Sequence, residues 1–391
     1  MIKREISKTL KELCKKYPVI SVTGPRQSGK TTLIQNLFQH KPYISLEDPD
    51  ERLFALNDPR GFLNRFADGV ILDEVQRVPD LFSYIQTIVD ARKKNGMFIL
   101  SGSQNFLLLE KISQSLAGRV AILKLLPLSI IEMKKHGILQ ENIIELLHSG
   151  SYPGLYSNKI ESGFFFPNYI QTYVERDIRS IKQIGDLNSF TRFMQLCAGR
   201  IGQLLNISSI ANDCGIAVNT AKSWISILES SYTVFLLQPH YSNFNKRIVK
   251  SPKLYFYDTG LAASLLKIEN KSQMLSHYLL GGLFENLIII DLLKNRFNKG
   301  LTSNLYFWRD NKGVEIDCIV EKANNLIPIE IKSSQTYNID FFKNINFWNS
   351  ISGNSPENSF VIYGGDKSMK TKDGNILSWK SIEKELMYLL K

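Results

Sequence analysis

Three groups of residues in this 391-residue chain have the types and spacing to do chemistry. The first is Gly24-Pro25-Arg26-Gln27-Ser28-Gly29-Lys30-Thr31, followed by Thr32. It meets every fixed position of G-x-x-x-x-G-K-[ST], a loop whose backbone N–H groups surround a polyphosphate. Glycine lets the backbone curl, and the start of the following helix adds partial positive charge. Lys30 is expected to reach the β- and γ-phosphates, and the Thr31 hydroxyl to hold a magnesium ion.

The second group is Asp73-Glu74, which ends the apolar run Gly69-Val70-Ile71-Leu72. Carboxylates at the C-terminal end of a buried parallel strand sit at the rim where open α/β sheets bind ligands. Asp73 is expected to hold the magnesium, through water or directly, and Glu74 to polarise the attacking water. Further on, Ser101-Gly102-Ser103 ends another apolar run. Ser103, Gln104 or Asn105 is a candidate sensor of the γ-phosphate or the lytic water, with a simple turn as the plain alternative for each. Arg119 is a candidate arginine finger, in cis or toward a neighbour. A surface or ion-paired arginine is the commoner fate.

The third group lies in the C-terminal third: Asp317, Glu330 and Lys332, with Glu285 as a candidate third ligand. In Val314–Val320 alternation puts Val314, Ile316, Cys318 and Val320 on one face, and Glu315 and Asp317 on the other. In Ile327–Lys332 the isoleucines share a face, so Glu330 and Lys332 point together to the opposite side. Glu321–Asn325 is a short polar connection, so the two strands are expected to pair. Pro328 withholds a ladder donor and predicts a strand start or edge. Asp317 and Glu330 can then approach one divalent ion, with Lys332 beside it. Two acids holding magnesium, which lowers the pKa of a bound water, and a lysine to orient it are the parts of a metal-dependent phosphodiesterase. Acids and lysines on the exposed face of an ordinary hairpin are the plain alternative.

The elements that must position these residues follow from periodicity. Val19–Thr23 reads as a buried strand before the phosphate loop, and Thr32–Phe38 as the first turns of a helix. Apolar strands alternating with helices, through Val120–Leu125, predict a parallel sheet and an α/β fold. Residues 130–200 read as helices, with Ser151-Tyr152-Pro153-Gly154 as a turn and Glu175–Arg179 as a charged face. Ser208–Ile225 has helix-turn-helix spacing, one helix ending near Cys214-Gly215 and the next beginning about Val218. Strands at 232–237 and 253–257 enclose a loop with Lys246, Arg247 and Lys250. Together they describe a winged helix, with Asn219, Thr220, Lys222 and Ser223 facing a DNA groove and the wing cations on phosphates.

Together, Gly24–Thr32, Leu72–Gln76, Ser101–Ser103 and Leu116–Arg119 resemble the bacterial and archaeal AAA-type ATPases whose C-terminal part is a domain of unknown function. Tyr173–Ile178, Tyr257–Leu261 and Phe307–Arg309 continue the likeness over nearly the whole chain. The resemblance implies ATP binding and hydrolysis, without a biological role. Separately, the C-terminal helix, hairpin, acid and Glu-x-Lys order resembles the restriction-endonuclease-like fold and its PD-(D/E)xK motif. Ile316 stands where that motif has proline.

The expected architecture is therefore α/β. Residues 1–135 form a P-loop parallel-sheet ATPase domain, 136–200 a helical linker, 201–270 a winged-helix-like domain and 271–391 a restriction-endonuclease-like domain. The expected cofactors are ATP and Mg2+. The net charge of +11 leans toward a polyanionic partner such as DNA, although a lysine-rich proteome gives the same balance. A protein partner and homo-oligomerisation stay open. Four cysteines without metal-like spacing read as reduced thiols, and the five histidines form no cluster. Leu283–Leu293 is apolar but holds Glu285 and Asp291 and is too short to span a bilayer. With no secretory signal visible, a cytoplasmic protein without membrane contact is expected. Three readings follow: an ATPase gating a nuclease, an ATP-switched DNA-binding regulator with an inactive nuclease-like domain, or a protein-directed ATPase.

Overall fold

The computed structural model describes residues 2–102, 115–173, 186–240, 250–323 and 325–382. Ser103, Gln104, Asn105, the Glu175–Arg179 face, Lys246 and Arg247 lie outside them.

Strands β1 (Val19–Thr23), β2 (Tyr43–Ser45), β3 (Val70–Asp73), β4 (Phe98–Gly102) and β5 (Val120–Lys124) form one parallel sheet in the order β2-β3-β4-β1-β5. The α/β expectation for this part is met. β1, β3 and β4 are buried along their whole length, as strands covered on both faces must be. Alternation divides their side chains. Ile20, Val22 and Ile71 pack with Ile6, Leu10, Leu33 and Ile34 of the helices Ile6–Cys14 and Lys30–Leu37. Val19, Val70 and Leu72 pack with Phe62, Phe82 and Ile85 on the other face. β4 separates β1 from β3, and its Ser101 stands in register with Asp73.

The middle of the chain is helical, as expected. Pro153 opens the short helix Pro153–Ser157, so the anticipated turn there is a helix start. Helices Ile207–Cys214 and Val218–Ser230 are joined through Gly215, whose φ of 74° suits a residue without a Cβ. Trp224 of the second helix packs edge-on against Phe190 and Phe193 of the helix Leu187–Ala198. β6 (Val234–Leu237) and β7 (Lys253–Phe256) follow as an antiparallel pair.

The C-terminal part is a mixed sheet of β8 (Leu305–Arg309), β9 (Glu315–Lys322), β10 (Asn325–Lys332), β11 (Phe360–Tyr363), β12 (Met369–Thr371) and β13 (Gly374–Ser378). Its order is β12-β13-β11-β10-β9-β8. β9 and β10 pair antiparallel as predicted. Pro328, however, lies in a central strand. Pairing with β11 begins only at Ile329, so the missing N–H falls where β10 has no neighbour on that side.

The even alternation expected in β9 also fails. Between the pairs Tyr306↔Ile319 and Trp308↔Ile316, β8 has one residue and β9 has two. This bulge at Asp317-Cys318 shifts the phase. Cys318 and Val320 join the core that holds the helix Leu280–Asn298, whereas Ile316 packs with Trp308, Ile345 and Trp348 on the other side.

That larger core is continuous from Leu126 to Ile382, so the helical, hairpin and C-terminal segments are packed together. Among the described residues no helix is long and apolar enough to cross a membrane.

Candidate active sites

The phosphate loop is held by geometry that only glycine permits. Gly24 has φ 148°, and a Cβ there would meet the Leu125 carbonyl oxygen at 2.1 Å. Gly29, at φ 90°, caps the helix that begins at Lys30. The Lys30 ammonium is buried and donates to the carbonyls of Gly24 at 2.9 Å and Pro25 at 2.8 Å.

Thr31 and Asp73 are brought together: the Thr31 hydroxyl donates to Asp73 Oδ2 at 2.8 Å. Tyr43 donates to the same oxygen at 2.8 Å, and Ser101 donates to Oδ1. These donors fix the carboxylate at the strand end facing the loop. Glu74 follows at φ 53°, a left-handed conformation that a glutamate adopts only where its surroundings impose it. The Gln76 amide donates to Glu74 Oε2. Arg26, Gln27, Lys30, Thr31, Asp73 and Glu74 line one cavity of about 820 Å³, which Pro153, Gly154 and Ser157 also line.

Arg119 is not brought to this cavity. Its carbonyl accepts from Val19 N–H at the opposite end of β1, and its guanidinium pairs with Asp90 at the surface. The loop follows Thr23, four residues further along the strand, so Arg119 cannot serve as a finger for its own loop.

Arg4, which the motifs do not flag, lines the cavity instead. It donates to the Ser28 carbonyl at 2.7 Å and the Leu126 carbonyl at 2.6 Å, and pairs with Glu132 at 2.9 Å. Burial pushes the Glu132 carboxyl up, but the Arg4 charge and the hydrogen bonds outweigh it and hold the group below the usual carboxylate range. A second link leaves the nucleotide site at Thr23, whose hydroxyl lies 2.7 Å from that of Tyr232, just past the helix Val218–Ser230.

At the C-terminal site the structure gathers the predicted residues in two sets. Lys332 binds Glu330 Oε2 at 2.5 Å and lies 3.6 Å from Asp317. Glu330 is buried, and its carboxyl is pushed well above the usual range by burial and by the neighbouring Asp317. Asp317, at the bulge, accepts from Ile331 N–H at 2.8 Å. Among the described residues, the group whose ligand atoms lie within 4.8 Å of one another is Glu285, Glu315 and Asp317, so Glu315 stands where Glu330 was expected. The bulge explains the exchange. Glu315 pairs with Arg309, which shares a face with Leu305 and Phe307, while Glu330 takes the other face.

Sequence reasoning passed over Lys253 and Tyr255 of β7. Lys253 bonds Glu285 at 2.8 Å and Glu315 at 2.5 Å, and Tyr255 donates to Glu285 at 2.5 Å. A lysine and a tyrosine with the same parity on an otherwise apolar strand were the visible signal.

Residues 16–134 match the family described as an AAA domain. Residues 140–272 and 280–382 match two domains of unknown function, DUF8612 and DUF4143. The uncharacterized protein Rv2008c of Mycobacterium tuberculosis is 30% identical over 341 residues, 86% of this chain and 75% of that protein. The chain belongs to the same family as this mycobacterial protein. An uncharacterized protein of Haemophilus influenzae is 24% identical over 351 residues, 79% of this chain and 81% of that one. Among solved structures, the Walker-type ATPase PABY2304 of Pyrococcus abyssi aligns with a TM-score of 0.45 and 15% identity, over 68% of this chain and 96% of that one. With its AAA domain, this family member is a P-loop ATPase of the AAA type that binds ATP.

Proposed function

We propose that this ATPase uses ATP binding and hydrolysis to control how its middle and C-terminal parts engage DNA. The observation that carries the reading is the Thr23–Tyr232 hydrogen bond, which ties the phosphate-loop strand to the end of the helix Val218–Ser230. That helix exposes Asn219, Lys222 and Ser223, with Thr220 half-buried, and Lys250 is exposed beyond the hairpin. The helix pair and hairpin support a winged-helix reading, with these side chains toward bases and phosphates.

In the ATPase step Lys30 neutralises phosphate charge, and the loop N–H groups fix the phosphates. Thr31 and Asp73 offer adjacent hard oxygen donors, a set that suits Mg2+. That ion, when bound, neutralises charge developing on the β- and γ-phosphate oxygens. Glu74 orients the attacking water and takes its proton, held in place by Gln76. At the C-terminal site, paired acids and Lys332 support a nuclease-like domain of the restriction-endonuclease type, with Mg2+ among the acids. The presence of Lys253 inside the acid cluster favours a second reading, in which this domain binds DNA and its cleavage is held off.

The test is ATP turnover with and without DNA and Mg2+, the same tubes being scored for strand cleavage. DNA should change the turnover rate. Lys30→Ala should abolish turnover, and Asp317→Ala should remove cleavage while sparing turnover. Turnover indifferent to duplex, single-stranded and branched DNA would overturn the reading. Absence of cleavage on all three would overturn its nuclease part alone.

A further inference from the structure

The C-terminal acid cluster contains a cation of its own. Lys253 is 2% exposed, and its ammonium sits between Glu285 Oε1 and Glu315 Oε1 at 2.8 and 2.5 Å. It arrives from outside the C-terminal sheet, as the first residue of β7. Tyr255, two residues along, reaches the same Glu285 oxygen, so one strand delivers both groups. Three carboxylates whose oxygens lie within 4.8 Å of one another repel unless positive charge stands among them. Three hard oxygens at that spacing are equally a ligand set for a divalent cation.

One further acid touches this set through Asp317. Glu330, 1% exposed, presses its carboxyl against Asp317, and its Oε1 is buried with no donor to it. Lys253 therefore serves Glu285 and Glu315 but leaves this acceptor unserved.

We propose that Lys253 is a removable stopper in a divalent-cation site formed by Glu285, Glu315 and Asp317. Ammonium and metal exclude one another, and the site loads when β7 withdraws the lysine. This rests on reading the C-terminal acids as a cation-holding set. β7 pairs with β6, which begins two residues after Tyr232, the residue bonded to Thr23 of the phosphate-loop strand. The strand that carries the stopper is thus joined to the nucleotide site by a short path.

The experiment titrates the full-length chain with Mn2+ alone, without nucleotide or DNA, and follows free ion by electron paramagnetic resonance. Wild type should bind Mn2+ at least about tenfold more weakly than Lys253→Met, a ratio large enough to read directly from the titration. Adding Asp317→Asn to Lys253→Met should remove the gained binding. Thermal melts with and without Mn2+ guard against a destabilised variant: Lys253→Met should gain melting temperature with Mn2+ and wild type should not. Equal binding by wild type and Lys253→Met would overturn the stopper and leave the cation site standing. No binding or melting shift in either would overturn the cation site itself.

Discussion

The hydroxyl of Tyr232 lies 2.7 Å from that of Thr23, the last residue of the strand that delivers the phosphate loop. Both residues are buried. Thr23 also lies 3.3 Å from the Leu123 carbonyl, so its hydroxyl has a second partner inside the sheet. Removing the tyrosine hydroxyl should therefore separate coupling from catalysis. Tyr232→Phe should lower stability by about 1 kcal/mol, the net worth of one buried hydrogen bond. ATP turnover without DNA should stay near wild type, while the response of turnover to DNA shrinks. An undiminished DNA response, measured side by side with wild type, would rule this bond out as the link.

Glu74 and Asp73 are neighbours with different partners, and substitution should tell their roles apart. Glu74→Gln keeps the shape of the side chain but cannot accept a proton from water. Turnover should fall by roughly 10²-fold or more, the range for loss of a general base. ATP affinity, followed with a fluorescent analogue, should change little. A large loss of affinity with the rate at saturation intact would assign Glu74 to binding instead.

Asp291 makes stability depend on pH. It is buried in the helix Leu280–Asn298, accepts from Ile130 N–H at 2.7 Å and from the Asn295 amide at 3.1 Å, and burial pushes its pKa to about 6. An unfolded aspartate titrates near ~3.9, so the folded state holds this proton more tightly. The stabilisation is complete below the unfolded value and is lost as pH rises through about 6. Asp291→Asn removes that titration. Its melting temperature relative to wild type should climb from about pH 4 to about pH 7 and then level. A difference flat across that window would show that Asp291 does not titrate there.

Lys222 lies exposed on the helix Val218–Ser230. If it meets a phosphate, Lys222→Ala should weaken DNA binding about equally across sequences and reduce the salt slope by roughly one counterion. Affinity measured over a salt series decides this. An unchanged slope would place the DNA surface elsewhere.

The ATPase half was legible because its chemistry is carried by contiguous residues. Gly24–Thr31 and Asp73-Glu74 lie within single turns of chain, so spacing alone reports their geometry. Arg4 and Ser101 were harder. Arg4 reaches Ser28 across a loop of tertiary structure, and Ser101 meets Asp73 only because β4 is inserted between β1 and β3. Neither fact is local. At the C-terminal site the pairing of β9 with β10 was readable from alternation, and Glu330 and Lys332 do share the predicted side. Alternation also assumes an unbroken ladder. It placed Ile316 with Cys318, and it made Glu330 rather than Glu315 a partner of Glu285. Lys253 was passed over because strands far apart in sequence reveal their meeting only after folding.

The bulge at Asp317-Cys318 carries a last consequence. Glu315 meets Glu285 because one additional residue stands in β9 opposite β8. The same residues in a β9 that ran past β8 without the bulge would keep every acid and lysine of the site in the chain, yet turn Glu315 away toward Glu330 and Lys332. The site is thus written in a count as well as in an alphabet. Relatives that carry the same letters at a different spacing would present a different set of charges to whatever approaches this face.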